Sequence, residues 1–253
     1  VIGAIVGIGI VGAAWSALAA NSRPSRFPTI GEIITAVQNN WVDSAILKYT
    51  TFGTGGIFSN LVYTMQNVYM GVLTGLILGY SIGMLMSRQG RIGVALNVPM
   101  AIVGSVPVLV LQPFLVFWFG ASRLATSGLV IFYTALTVAG AVTLAGNAAW
   151  RRFGDYAASL GVKSGRTITQ IILPATVPPT WGVLRAATAL GWGFQCISEV
   201  LGGRAGAGRM LRSFAEATQT PAVIGVLVWV GIIAVVTDAA LALVGRWITR
   251  WSE

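Results

Sequence analysis

Residues 148–180 read AAWRRFGDYAASLGVKSGRTITQIILPATVPPT, the longest polar interruption on one side of an otherwise apolar chain. Asp155–Leu160 has the composition of a short helix, and Gly161 suits its end because glycine tolerates the left-handed turn that closes helices. Ser164 is placed to cap a second helix through Ile168, Ile171 and Ile172, and Pro174, Pro178 and Pro179 are placed to stop it. The expected product is a helix-turn-helix that projects from its surroundings with small residues on the first arm. An element of that kind docks into a groove on a soluble partner.

The surroundings are a membrane. Of 253 residues, 55% are hydrophobic and only 9% are charged, with 16 Lys+Arg and 7 Asp+Glu. Mean hydropathy is +0.79. A soluble domain carries about 25% charged residues, so a soluble enzyme is excluded, as is a disordered chain. There is no His, and Cys196 is the only cysteine, which removes His-ligated metals, a His general base and an internal disulfide. The net charge of +9 is spread over single or paired cations with no basic run interleaved with aromatics, so nucleic acid is a poor partner. Cations that flank membrane spans explain it better.

A spanning helix needs about 20 apolar residues, because the hydrocarbon core is about 30 Å thick. Residues 1–22, 49–87, 92–122, 124–150, 186–198 and 217–237 carry no charge. The expectation is an all-α polytopic membrane protein with about six helices, near 1–20, 60–87, 93–119, 124–147, 180–202 and 221–246. Residues 1–20 are longer than the apolar core of a leader peptide, about 7–15 residues, and read as a first transmembrane helix. Residues 60–253 read as the core transmembrane domain, which contains the 148–180 loop. If the first helix ends outside, the dense pairs Arg88/Arg91 and Arg151/Arg152 both fall inside. Residues 21–59 form an outer segment, in which Pro24 to Val37 reads either as a short amphipathic surface helix or as an ordinary loop.

Several signals lie within the spans. Gly71, Gly75, Gly79 and Gly83 recur at every fourth residue and form a smooth stripe for close helix contact. Pro99, Pro107 and Pro113 break or bend the third segment, either beside a transport path or simply for packing. Asp238 lies eight residues before Arg246, roughly 12 Å inside that end, and needs a partner. Arg185 falls in the same half, so an Arg185–Asp238 ion pair is expected. Glu199 lies close to the outer end of its helix, where water reaches it. Trp192, Gln195 and Glu199 share one face and read either as pathway lining or, for Trp192, as packing. The G-x-G-x-x-G at Gly7–Gly12 lies inside an apolar span, and Gly161–Thr167 has the wrong spacing for a phosphate loop, so neither binds a nucleotide.

The 148–180 stretch resembles the EAA loop of ABC-importer permeases, E-A-A-x3-G-x9-I-x-L-P. Asp155, Tyr156 and Ala157 take the first three places, and Gly161, Ile171, Leu173 and Pro174 fall at the required spacing. Asp155 keeps the charge with a shorter reach, and Tyr156 is the larger departure. Pro107, Pro113 and Trp118-Phe119-Gly120 are similar to the P-x5-P-x4-W-F-G stretch of the nitrate/sulfonate/taurine-type permeases. Gly182 to Arg185 resembles their G-x-x-R stretch. Glu199, Leu201-Gly202, Gly206 and Gly208 resemble their segment at the outer end of the fifth helix.

The resemblance implies a type I importer permease of the prokaryotic inner membrane. It carries a small solute, with a sulfonate-, taurine- or nitrate-like anion favoured, delivered by an extracytoplasmic binding protein. It also implies a second permease copy, a homodimer being the simpler arrangement, and ABC ATPase subunits inside. ATP and Mg would sit on those subunits, with no cofactor and no catalysis on this chain. Asp155, Tyr156, Ala157, Gly161, Ile171, Leu173 and Pro174 would couple it to the ATPase. The alternative is an ion-gradient-driven carrier that uses Glu199 and Asp238 and has no need of the loop.

Overall fold

The computed structural model describes residues 2–22, 26–50, 55–87 and 91–252. Pro24 and Arg88 lie outside the described residues, and only the backbone of Arg91 is described. Helices account for the regular structure, with no strand among the described residues. They are α1 (Ile2–Ala20), α2 (Ile30–Asn39), α3 (Ala45–Thr50), α4 (Ile57–Ser87), α5 (Arg91–Gly104) and α6 (Leu111–Phe119). These are followed by α7 (Arg123–Ser159), α8 (Ser164–Thr167), α9 (Leu173–Gly202), α10 (Ala207–Glu216) and α11 (Thr220–Ile248).

Among the described residues, α4, α7 and α11 are each long and apolar enough to cross a membrane. Gly93–Gly104 and Val108–Phe119 make a fourth span if they are one, and they bend by 77° at their break. The prolines explain the bend. Pro107 sits in extended backbone ahead of a 3-10 turn over Val108–Val110. Pro113 falls in the first turn of α6, where its missing N–H has no partner to lose. α9 has the length, at 30 residues, but its buried stripe is rich in Thr176, Thr180, Thr188, Gln195, Ser198 and Glu199, which lowers its hydropathy.

The chain divides into two compact units. The larger comprises Met65–Gly202 and Ala234–Glu253. In it, α4 lies close against α7 along the glycine stripe. A Cβ added at Gly75 would lie 2.6 Å from Thr134 Cβ, and one at Gly83 would lie 2.7 Å from the Ala139 carbonyl oxygen and from Val142 Cβ. At Gly79 it would strike the carbonyl oxygen of Ala135. The glycine stripe therefore brings the two backbones to a distance that no side chain permits. α7 then packs along α9. Val138, Val142 and Leu184 are buried, with Val72, Leu76, Tyr80, Met84 and Trp181 against them. The outward side is aliphatic instead: Val235, Val236 and Leu243 of α11 are 70%, 62% and 65% exposed, as a lipid-facing surface requires.

The smaller unit comprises Val1–Thr64 and Gly203–Ile233. The segment left open between amphipathic helix and loop is the helix α2. Thr29 and Glu32 form a capping box in which Thr29 N–H donates to Glu32 Oε2 at 2.7 Å. A Cβ at Gly225 would collide with Val37 and lie 3.6 Å from Ile33, so the apolar side of α2 rests on a small residue of another helix. The N-terminus of α10 is satisfied by side chains of α4. Gly206 N–H donates to Asn60 Oδ1 at 2.8 Å, and Ala207 N–H to Thr64 Oγ1 at 2.7 Å. At the other end of α10, Gln219 N–H reaches Phe214 O at 2.8 Å across Thr218, a β-branched residue held at φ 54°.

Three expectations about the loop need correction. Asp155–Leu160 is not a separate helix. α7 runs unbroken to Ser159, because no proline lies between residue 147 and Gly161, the single Gly154 is carried within the helix, and a helix need not end where the bilayer does. Ser164 is not the cap of the second helix. Lys163 takes the extended cap conformation, with no side-chain hydrogen bond, and Ser164 is the first helical residue. The prolines do not stop that helix. A π-helical stretch over Ile168–Ile172 precedes Pro174 and absorbs the missing N–H, and Pro178 and Pro179 lie inside α9.

Two substitutions test these contacts by thermal unfolding in detergent. Gly79→Ala, against backbone, should lose about 1–3 kcal/mol of stability, whereas Gly140→Ala, with nothing near its Cβ, should lose none. Thr218→Gly should gain about 1 kcal/mol by relieving a left-handed β-branched residue.

Candidate functional site

The 155–174 turn is built for rigidity. α7 ends with two hydrogen bonds that wrap its last carbonyls: Gly161 N–H to Ala158 O at 2.9 Å and Val162 N–H to Ala157 O at 3.0 Å. This closure needs a residue at positive φ, and Gly161 takes φ 72° with open space where a Cβ would be. Lys163 O then accepts from Arg166 N–H at 2.9 Å and Thr167 N–H at 3.1 Å, which starts α8 without a gap.

Side chains divide cleanly about this turn. Ala157, Thr167 and Ile172 are buried and pin it from within. Tyr156 and Leu160 point outward at 68% and 64% exposure, among exposed Asp155, Gly161, Lys163 and Arg166. Two large apolar side chains held on a charged, closed turn form a surface suited to a protein partner. Of the residues expected to act together, Asp155, Tyr156 and Gly161 lie on this surface. Ala157 lies beneath it, where its small size is a packing requirement. Ile171 and Pro174 are half-buried and Leu173 is 40% exposed at the root of α9.

One anchor of the root was missed in the sequence. Tyr80 Oη donates to Leu173 O at 3.0 Å and shares a hydrogen bond with Thr176 Oγ1. Tyr80 follows Gly79 on α4, so the glycine contact sets its position. A tyrosine among apolar residues carries no sequence signal for a partner 93 positions away. Beside it, a groove of about 400 Å³ lined by Leu76, Ile77, Val177, Thr180 and Trp181 is apolar.

The structure brings Arg185 and Asp238 together. Arg185 Nε donates to Asp238 Oδ1 at 3.0 Å, and Nη2 donates to Oδ2 at 2.8 Å. Two neighbours fasten the same helices: Trp181 Nε1 donates to Leu241 O at 2.9 Å, and Tyr69 Oη pairs with Thr237 Oγ1 at 2.9 Å. Trp192, Gln195 and Glu199 do share one face of α9, but that face is turned into the protein, and all three are buried. Gln195 Nε2 donates to Glu199 Oε1 at 2.9 Å. The wet position expected for Glu199 is therefore corrected: its depth along the helix is near an end, but the packing of neighbouring helices covers it.

Residues 71–253 match the profile of the family described as binding-protein-dependent transport system inner membrane component. The chain is 25% identical over 197 residues to the taurine transport system permease protein TauC of Escherichia coli, covering 77% of this chain and 71% of that one. It is 25% identical over 248 residues to the nitrate import permease protein NrtB of Synechococcus elongatus, covering 95% and 87%. In fold it is similar to an inward-facing form of the MetNI methionine ABC transporter, with a TM-score of 0.66 at 16% identity over 81% of this chain and 99% of that one. An amino acid ABC transporter is similar at a TM-score of 0.61, again at 16% identity, over 77% and 92%.

Limited trypsin digestion tests the closure of the turn, because Lys163 and Arg166 lie just beyond it. Gly161→Ala, at a backbone conformation costing about 1–2 kcal/mol for a side chain, should speed cleavage there severalfold. Unchanged cleavage would mean that the glycine closure does not hold the loop.

Proposed function

The chain belongs to the family of binding-protein-dependent transport system inner membrane components, and on that premise we propose that its 155–174 turn receives an ABC ATPase. The protein is a multi-pass membrane permease of the ABC-importer kind. It is a transport subunit, and in this reading ATP and Mg are bound and hydrolysed on the partner. The observation that carries the reading is the exposed Tyr156 and Leu160 on a turn whose Ala157, Thr167 and Ile172 are locked inside. A docking surface has to be apolar enough to bind and stiff enough to transmit displacement.

The mechanism follows from the mechanical continuity of the chain. ATP binding closes the ATPase pair and draws two copies of the turn together. α7 is one helix of 37 residues, about 55 Å long, so movement at its Asp155 end is carried along its whole length. A helix that meets its neighbour through a glycine stripe, as α4 meets α7, presents no side chains of its own to interlock, which suits a rocking transition between two packings. The second permease is a copy of this chain, and the binding protein delivers solute from outside the prokaryotic inner membrane. The solute class is a small molecule carrying an oxyanion group, since the relatives above are named for taurine, a zwitterion with a sulfonate, and for nitrate.

Affinity capture of the tagged chain from mild detergent, followed by mass spectrometry, tests the docking. An ATPase should accompany the wild type and fall at least tenfold with Leu160→Arg and with Tyr156→Arg. Both positions are exposed, so the unfolding temperature should not move. Capture that is insensitive to both substitutions would refute this turn as the docking surface.

A further inference from the structure

The Arg185–Asp238 pair lies in an unusual place. Its two hydrogen bonds are short and well aligned, yet the side chains keep 36% and 44% of their exposure. Along α11, Asp238 is 18 residues from Thr220 and eight from Arg246, or roughly 27 Å and 12 Å. Both distances place it within a hydrocarbon core about 30 Å thick. An aspartate side chain is too short to reach the interface from there. An ion pair exposed to acyl chains at that depth is strongly disfavoured, so this face meets water or protein.

The neighbours on α9 favour water. Gly182, Ala186, Ala189 and Gly193 run beside Arg185 and are exposed. A Cβ at Gly182 or Gly193 would meet nothing within 4 Å. Apart from Leu190 at its margin, 53% exposed, this face is small and bordered by Arg185, in contrast with the large aliphatic face of α11, where Ile232, Val235 and Val236 stand exposed. Among the described residues of α4, α7, α9 and α11, Arg185 lies 12 residues from the nearer end of its helix, whereas Arg123 and Arg246 lie within two residues of an end and Arg151 and Arg152 fall in the last nine residues of α7, next to the exposed turn.

We propose that the Gly182–Gly193 face of α9 lines the aqueous pathway and that Arg185 contacts the anionic group of the permeating solute. Two of its five N–H donors are held by Asp238, and three remain for an anion. Asp238 orients the guanidinium and cancels its charge, so an anion is met without being trapped. This inference rests on the anion-permease reading. Its test is independent of turnover.

The test uses membranes containing the full chain in a Cys196→Ser background, which removes the half-buried lone thiol. Ala189→Cys and Val235→Cys are labelled with a charged, membrane-impermeant methanethiosulfonate, with and without nitrate or methanesulfonate. Ala189→Cys should react at least tenfold faster than Val235→Cys, and the anions should slow it. In the paired neutral variant Arg185→Gln/Asp238→Asn, which keeps a hydrogen-bonded pair, the labelling should persist and the anion effect should vanish. Equal rates at the two positions, or copy-to-copy disulfide formation at Ala189→Cys with no labelling, would overturn the aqueous face. Labelling that neither anion slows, or slowing that survives in the neutral pair, would overturn the role of Arg185. ATPase capture is a separate readout: its loss sinks the importer reading whatever the labelling pattern.

Discussion

Lipid tails are as apolar as leucine, so helices in a bilayer adhere where their backbones can come close, not where they bury more carbon. The contact of α4 with α7 is that kind of adhesion. Gly75, Gly79 and Gly83 lie against Thr134, Ala135 and Ala139 at separations a Cβ would forbid, and Gly71 lies tightly against Val130. Much of the larger unit depends on it. It orients α4 so that Tyr80 meets Leu173 and Thr176, and α4, α7 and α9 close on one shared cluster around Val138, Val142 and Leu184. The root of the 155–174 turn is thus fixed by a contact made several helical turns away.

The distribution of polarity follows from the same solvent. α9 buries Thr176, Thr180, Thr188, Gln195, Ser198 and Glu199 while α11 exposes valines and isoleucines. In water this arrangement would be inside out. In lipid it is favoured, because side-chain polar groups find partners only within the protein. Thr188 Oγ1 donates to Leu184 O at 2.8 Å and Gln195 donates to Glu199, while Thr180 Oγ1 and Ser198 Oγ are buried with no hydrogen-bond partner among the described residues.

The turn itself combines two kinds of irregular backbone at opposite ends. Gly161 reverses the chain through a left-handed residue, and the π-helical stretch at Ile168–Ile172 carries it into a helix that contains three prolines. Neither is slack. Hydrogen bonds close both: Gly161 N–H to Ala158 O and Val162 N–H to Ala157 O at the first, and Leu173 N–H to Ile168 O at the second, beneath the exposed Tyr156 and Leu160.

Hydropathy and helical periodicity made the membrane class, most of the helices and the glycine stripe legible, because each is a property of residues close in sequence. The loop was singled out through its resemblance to the EAA pattern, from Asp155 through Gly161 to Pro174, although its helices begin and end elsewhere than expected. Depth counting even paired Arg185 with Asp238, since helix rise converts sequence distance into height. The same counting misplaced Glu199, because height says nothing about which neighbouring helix covers a side chain. The continuity of α7 through Asp155, the passage of α9 through Pro178 and Pro179, and the Tyr80 anchor were also invisible. Each is decided by long-range packing that supplies a partner or a covering surface. Sequence by itself determined which segments belong in lipid and how far along them each charge lies. Only the tertiary structure decided which face of each helix is inward, because that depends on contacts between residues far apart in the chain.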